Sequence, residues 1–344
     1  MTKKYLPICN DVSAILGMAN FSLYDRFTTD GTLSEPTGIP DPRYALPSTV
    51  HWMQALRMLV ETSKLDFEKA KQHYGAVQKG ALSPQAENTV FEHLMLALHQ
   101  LAALKALLGC DPQADVARVA SVGWYYGIYD AATAMVAAQS GDLQDNHTKT
   151  ARSWDNQFAM RGLAMYPFDL RLSTLVEKDA EVQLQSLRRI GKTTLVNEPV
   201  SEDQAHDYAC AYLSGTRKWS AWKAEEDLKT SNAFKALGVG NFRTSAARTM
   251  RDNRLRGQAI SFLHLAFRYR GKANYREALY LAHGASVEAT ILNFIRDMTV
   301  VLEAFLAMAG AFSRRRLGKN LWNEFTEDVE RNRSFSVSPK EIWK

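Results

Sequence analysis

The sequence predicts an all-α protein. Apolar residues recur at three- and four-residue spacing over long stretches, as they do on one face of an α-helix. Runs that alternate apolar and polar residues are never longer than about five residues, so strand signals are scarce. Only 10 of the 344 residues are proline and 19 are glycine, a composition typical of a soluble globular protein. We therefore expect a helical bundle with an N-terminal helical extension.

The first half of the chain predicts three long helices. Residues 28–48 hold four prolines and are predicted to form a loop, after which Ser48 caps a helix over about 49–74. The segment GALSP (80–84) separates it from a helix over about 87–108, which is apolar on nearly all sides and therefore central in the bundle. The third helix begins after Asp111-Pro112 and ends at Gly141.

The second half predicts three more helices and a tail. One begins after a polar loop near residue 147 and breaks at Pro167. Ser201 and two following acidic residues start a helix over about 201–231, and the last long helix covers about 285–312. The division predicted is an extension (1–85), a bundle (86–312) with an insertion at about 170–255, and a basic C-terminal tail with a short helix (313–344).

Composition limits the class of protein. The three cysteines stand about a hundred residues apart, a spacing that fits neither a zinc site nor a disulfide framework. The N-terminal residues lack the apolar region of a signal peptide, and apolar runs fall short of the ~18 residues that span a bilayer. We expect a cytoplasmic protein without a membrane partner, a metal site or a cofactor.

Positive charge is concentrated in the last third of the chain. The net charge is +5, yet residues 241–344 carry 18 Lys and Arg against 10 Asp and Glu. Within residues 243–276 there are nine basic residues and a single acidic one, Asp252. Such a cluster is typical of a surface that binds a phosphate-rich partner, and the alternative is a solvated surface or arginines paired with acidic helices.

The stretch WYYGIYDAATAMVAAQSGDLQDNH (124–147) is rich in aromatic residues and alanines. Tyr125, Tyr129 and Ala132 share one helical face, and the alanines allow close approach of a neighbouring helix. His147, in the following loop, is interpreted as a capping or surface histidine. By these residues alone, the stretch belongs to the core.

The same stretch resembles the second and third helices of the HEPN superfamily. The residues that carry the resemblance are Tyr125, Tyr126, Tyr129, Ala131, Ala132, His147 and Phe158. The segment FRYRGKANYREALY resembles the late segment of that superfamily through Arg270, Ala273, Asn274 and Tyr275. The resemblance covers about residues 90–310. It departs from the fullest form of the motif at Asp130, where relatives often have histidine.

The resemblance implies an RNA-binding protein that cleaves RNA without metal if the nuclease residues are present. Nuclease members use an arginine and a histidine four to six residues apart. A histidine can remove the 2′-hydroxyl proton, and an arginine can bind the phosphate in the transition state. The resemblance implies that such a nuclease belongs to a toxin or an antiphage defence system. Its activity would be controlled by a partner or a trigger.

Two assignments of the nuclease pair remain open. In the first, Arg270 takes the arginine position and Tyr275 the histidine position. A phenol with a pKa of ~10 is a poor base at neutral pH, so this assignment implies weak or absent cleavage. In the second, Arg276 and His283 are the catalytic pair on one helical face. Contacts to phosphate or nucleic acid are expected from Arg270, Lys272, Asn274, Tyr275, Arg248, Arg251, Arg254 and Arg256.

Two other functions compete with RNA cleavage. Asp130 and Tyr275, where nucleases tend to have histidine, favour a non-catalytic helical subunit of a larger nucleoprotein or defence complex. Alternatively, the arginines bind an acidic protein, and a protein partner or a homodimer is expected in either case. The segment RRIGKTTL (188–195) resembles the end of a phosphate-binding loop, but Ser186 stands at its first glycine position, so an NTPase is disfavoured.

Overall fold

The computed structural model describes residues 42–142, 146–274, 281 and 287–344, with the backbone alone described at 42–45, 274, 287 and 288. The chain is all-α, as the sequence predicts. Over the described ranges there is no β-strand, and the one extended pairing is an isolated antiparallel bridge between Leu172 and Ile260.

Helices α1 to α7 are Pro42–Ser63 (α1), Phe67–His73 (α2), Pro84–Leu107 (α3), Ala114–Ser140 (α4), His147–Trp154 (α5), Glu177–Leu187 (α6) and Glu202–Thr230 (α7). Helices α8 to α14 are Asn232–Lys235 (α8), Ser245–Arg256 (α9), Phe262–Asn274 (α10), Val287–Ile291 (α11), Phe294–Leu317 (α12), Lys319–Asn332 (α13) and Pro339–Ile342 (α14). A π-helical turn, Asp155–Ala159, continues α5.

The centre of the bundle is formed by three long helices. α3, α4 and α12 pack against one another, and α10 packs against α4, α5 and α7. α1 joins the same core through Trp52, whose ring stacks on Tyr212 of α7 at a centroid distance of 4.1 Å and meets the edge of Trp124 of α4 at 6.0 Å. The described side chains of α1, from Leu46 to Val60, therefore contribute to the same hydrophobic core as the later helices.

Helix boundaries agree with the sequence where a capping residue marks them. Ser83 and Ser201 accept hydrogen bonds from the backbone N–H groups of Ala86 and Gln204 and so cap α3 and α7. Gly141 ends α4 with a φ of 76°, the left-handed conformation that glycine adopts without strain. The predicted helix over 201–231 is confirmed almost residue for residue.

Three boundaries differ from the prediction. Ser48 lies inside α1, which begins at Pro42 and continues through Pro47. The single helix predicted over 49–74 is two helices, because Asp66 caps α2 by accepting a hydrogen bond from Lys69 N–H. The last long helix is also interrupted: α11 ends at Ile291 and a new helix, α12, begins at Phe294 and continues to Leu317, with no side-chain cap from Asn293.

The C-terminal tail packs onto the bundle. The indole Nε1 of Trp343 donates a hydrogen bond to the carbonyl of Leu306 at 2.9 Å, and its ring meets that of Trp322 at 5.1 Å. The indole lies directly against Gly310 of α12, where a Cβ atom would stand 2.3 Å from Nε1. Glycine at position 310 is thus required by this close approach.

We expect Gly310→Ala to lower the free energy of unfolding by ~1–3 kcal/mol, because the added methyl group displaces the Trp343 ring. Gly271→Ala is the matched control, since no atom of the described residues lies within 4 Å of a Cβ at that position in α10. The control is expected to be neutral or to stabilise by up to ~1 kcal/mol. Urea unfolding followed by circular dichroism measures both, and equal stability of the two variants would contradict the packing described.

One helix in the described part of the chain, α3, is long and apolar enough to cross a membrane by length and composition alone. α3 packs against α4 and α12, with Leu94, Leu98 and Leu101 buried. The core helix of a bundle passes the same test of length and composition.

Candidate nucleic-acid interface

Helix α4 presents three tyrosines at the side of the bundle that faces α5 and α10. Tyr125 is buried, whereas Tyr126 and Tyr129 are half-buried. The rings of Tyr125 and Tyr129, one turn apart, stack at a centroid distance of 6.1 Å. The tyrosines therefore form an aromatic surface that is only partly covered.

His147 lies on this aromatic surface. It is the first residue of α5, and Asn146 caps that helix by accepting a hydrogen bond from Lys149 N–H at 2.9 Å. The imidazole meets the edge of the Tyr129 ring at a centroid distance of 4.4 Å, and its Nδ1 lies 2.8 Å from the hydroxyl of Tyr125. The residue is thus half-buried and fixed in orientation, which the interpretation as a simple capping or surface histidine did not predict.

The Tyr125 hydroxyl determines which imidazole nitrogen carries the proton. Burial raises the pKa of Tyr125 far above its usual value, so this hydroxyl stays protonated. Among the described residues its hydrogen-bond partner is His147 Nδ1, and a buried O–H group that donated to nothing would cost free energy. We infer that Tyr125 donates to Nδ1, which leaves the proton of the neutral imidazole on Nε2 as a donor.

Burial, and then the nearby Arg270 guanidinium, hold the pKa of His147 below its usual value, while Asp130 acts in the opposite direction. Asp130 is itself buried, and its Oδ1 lies 3.0 Å from Nδ1 of His93. This contact connects α4 to α3 behind the aromatic surface. His147 is therefore uncharged at neutral pH, and Asp130 supports the site from within.

Arg270 of α10 completes the cluster. Its guanidinium carbon lies 5.2 Å from the ring centroid of Tyr125 and 5.0 Å from that of Phe267, and Nη1 is 3.4 Å from the Tyr126 hydroxyl. Within the part of the chain that the structure describes, Arg270 forms no ion pair, and its Nε has no hydrogen-bond partner. The Tyr–His–Arg cluster (Tyr125, Tyr126, Tyr129, His147 and Arg270) thus holds a cation that no described carboxylate neutralises.

The predicted catalytic pair, Arg276 and His283, lies outside the described residues, as do Tyr275 and the side chain of Asn274. Lys272 is described and lies away from the cluster. Its ammonium group is 5.6 Å from the Tyr212 ring centroid and 3.3 Å from Ser48 Oγ. Of the two predicted residues on this segment whose side chains are described, Arg270 lies on the tyrosines of α4 and Lys272 does not.

The four arginines predicted on the basic helix lie on α9, which packs against α7. Arg251 is paired there, with Nη2 2.8 Å from Asp252 and Nε 3.9 Å from Glu225. The other three arginines are exposed: Arg248, Arg254 and Arg256. This helix offers a basic surface through those three residues, with Arg251 largely neutralised.

A second group of polar residues, His206, Asp207 and Cys210 of α7, has the composition of a metal site. Asp207 nevertheless accepts three hydrogen bonds of 2.8 Å from the backbone N–H groups of residues 189, 190 and 191. Both nitrogens of His206 are also engaged, with the Tyr166 hydroxyl at 3.0 Å and the Leu187 carbonyl at 2.8 Å. Both imidazole nitrogens of His206 and three lone pairs of the Asp207 carboxylate are therefore already used within the protein, and burial raises the pKa of the Cys210 thiol, which keeps it protonated. These contacts hold the loop after α6 against α7.

The same contacts bear on the Gly-Lys-Thr-Thr segment. α6 ends at Leu187 with Arg188 as its C-cap, so Gly191 lies beyond the helix. The backbone N–H groups that a phosphate-binding loop would direct at a nucleotide are directed at Asp207 instead. This geometry further disfavours an NTPase.

No family model, curated protein or solved structure matches the chain.

Proposed function

We propose that the chain is a HEPN-like RNA-binding protein and that the Tyr–His–Arg cluster binds a phosphate group of the RNA backbone. The observation that carries this proposal is the unneutralised Arg270 guanidinium held on the tyrosines beside His147. Arginine and an imidazole N–H are both donors, and a phosphate supplies acceptors for both. The half-buried Tyr126 and Tyr129 rings provide surfaces on which unpaired bases stack.

Binding of labelled single-stranded RNA, followed by fluorescence anisotropy, tests the site. Arg270→Ala is expected to weaken binding by ~10- to 100-fold, because a hydrogen-bonded charged contact is worth ~1.5–3 kcal/mol. The matched control is Arg268→Ala on the same helix, since Arg268 faces Trp219 and Thr216 instead. A steep loss of affinity with salt is expected for the wild type and a shallower one for Arg270→Ala. Wild-type affinity in Arg270→Ala would refute the proposed site.

The lowered pKa of His147 gives the binding a pH dependence. Because the pKa lies below its usual value, the imidazole is neutral at pH 7 and gains its charge only as the pH falls further. RNA affinity is therefore expected to rise between about pH 7 and about pH 5, and His147→Gln should remove this rise. An identical pH profile in His147→Gln would show that other groups govern it.

Metal-independent RNA cleavage is the second candidate function. It is favoured by a neutral histidine beside an arginine, a set that suits general acid–base chemistry on a phosphodiester. Incubation of labelled RNA in EDTA with wild type, His147→Ala and His283→Ala distinguishes the assignments. Cleavage lost in His147→Ala alone places the reaction at the cluster, and cleavage lost in His283→Ala favours the pair Arg276 and His283. Bound but intact RNA in the wild type favours the non-catalytic subunit.

A further inference from the structure

A groove of about 360 Å³ lies between α3 and α13, in a part of the molecule that the Tyr–His–Arg cluster does not use. Its floor is apolar. Phe91 of α3 stacks on Phe325 of α13 with ring centroids 4.7 Å apart and an interplanar angle of 20°. Leu321 and Val329, one turn to either side of Phe325, extend this floor along α13.

The floor packs against aromatic residues on one side and is exposed to solvent on the other. Phe325 rests against Trp322 and Trp343, at centroid distances of 5.8 and 6.0 Å, so the C-terminal aromatic residues hold it in place. Met95 of α3, with a flexible thioether side chain, is 43% exposed at the edge of the groove. An adaptable methionine beside fixed aromatic rings is typical of surfaces that bind apolar side chains of a partner.

The rim of the groove is acidic. Glu92 of α3 and Glu324 and Asp328 of α13 are all exposed, and no Lys or Arg is among the residues that line the groove. Within the described ranges none of the three forms an ion pair, and Asp328 accepts a hydrogen bond from the Asn332 amide. These three carboxylates make the rim of the groove negatively charged, although the chain as a whole carries a net charge of +5.

We propose that this groove binds a basic amphipathic helix of a partner protein. The floor follows α13 from Leu321 to Val329, about 12 Å, which matches two turns of helix with apolar side chains at three- and four-residue spacing. Lysines or arginines flanking those side chains would meet the carboxylates of the rim. Nucleic acid is disfavoured because its phosphates would face Glu92, Glu324 and Asp328. A symmetric pair of copies is disfavoured because it would oppose the same carboxylates.

The test uses the full chain and a synthetic amphipathic peptide of leucine and lysine, about 14 residues long, with a leucine–glutamate peptide as its matched control. Affinity is measured by fluorescence anisotropy. The site is located by ¹³C-methyl NMR of the methionines, with the Met95 signal assigned from its loss in Met95→Leu. We expect the leucine–lysine peptide to bind and to shift the Met95 methyl signal.

The double variant Glu324→Lys/Asp328→Lys is expected to weaken binding of the leucine–lysine peptide at least ~10-fold, because two attractions become repulsions. Glu327→Lys, on the same helix but outside the groove, is the matched control and should bind as the wild type does. Circular dichroism confirms that each variant is folded.

Three results would overturn the proposal: equal affinity for the two peptides, wild-type affinity in the double variant, or an unchanged Met95 signal. A wild-type dimer that Met95→Lys converts to a monomer would show that a second copy occupies the groove. RNA binding does not involve these residues, so the outcome is independent of the proposed function.

Discussion

Replacing Trp52 with alanine is expected to lower the free energy of unfolding by ~3–5 kcal/mol. Trp52 is fully buried, and its indole contacts four aromatic residues contributed by three other helices: Trp124, Tyr212, Phe262 and Tyr269. Truncation leaves a cavity that helices from distant parts of the chain would have to fill by moving. Urea unfolding monitored by circular dichroism measures the change.

Two further variants show whether packing or hydrogen bonding accounts for that loss. The buried Nε1 of Trp52 has no hydrogen-bond partner among the described residues, so Trp52→Phe removes an unsatisfied donor and is expected to cost less than ~2 kcal/mol. Trp219→Ala, at a half-buried position on α7, is expected to cost about 1 kcal/mol or less. A loss in Trp52→Ala no larger than in Trp219→Ala would mean that α1 is not part of the core.

Replacing Asp207 with alanine is expected to destabilise the protein by ~3–5 kcal/mol. This carboxylate is 1% exposed and accepts three backbone hydrogen bonds from the loop that follows α6. Its removal leaves three N–H groups without their acceptor in the interior. The same loop lies beside His51 of α1, whose Nδ1 is 2.9 Å from the Leu195 carbonyl, so loss of the loop also weakens its contact with α1.

Asp203→Ala is the matched control for Asp207→Ala, because Asp203 is exposed on the same helix and forms a surface ion pair with Arg189. Its expected cost is ~0.5 kcal/mol. Chemical unfolding provides the two values, and hydrogen exchange at residues 189–191 shows whether the loop opens. Similar costs for the two variants would refute the role given to Asp207. A large rise in the melting temperature of the wild type with Zn²⁺ would show instead that His206, Asp207 and Cys210 bind metal.

Local sequence signals predicted the long helices α3, α4 and α7, but they did not predict α6, α9 or α10. Ser201, followed by two acidic residues, marked the start of α7, and Gly141 marked the end of α4. Such signals work because capping depends on residues within one helical turn. The signals failed where apolar periodicity continues across a helix boundary. The Asp66 side chain caps the start of α2, whereas α12 begins after Asn293 without a side-chain cap.

The candidate site was only partly predictable. Arg270 and the tyrosines of α4 were singled out from the sequence, but His147 was interpreted as a capping or surface residue. A signal was present, since a histidine directly after a capping asparagine points toward whatever lies beside the first turn of its helix. What lies there is Tyr125 on the preceding helix, 22 residues away, and no local pattern contains that information.

The sequence by itself determined the all-α class, the order of the main helices and the concentration of positive charge in the last third. These properties follow from hydrophobic periodicity, capping and composition, which act over a few residues or over the whole chain. Tertiary structure alone decided which polar residues meet. It placed Arg270 on Tyr126, 144 positions away, and His147 beside both. It also placed Arg251 of α9 3.9 Å from Glu225 of α7, because the packing of helices fixes which charges are neutralised and which remain available to bind a partner.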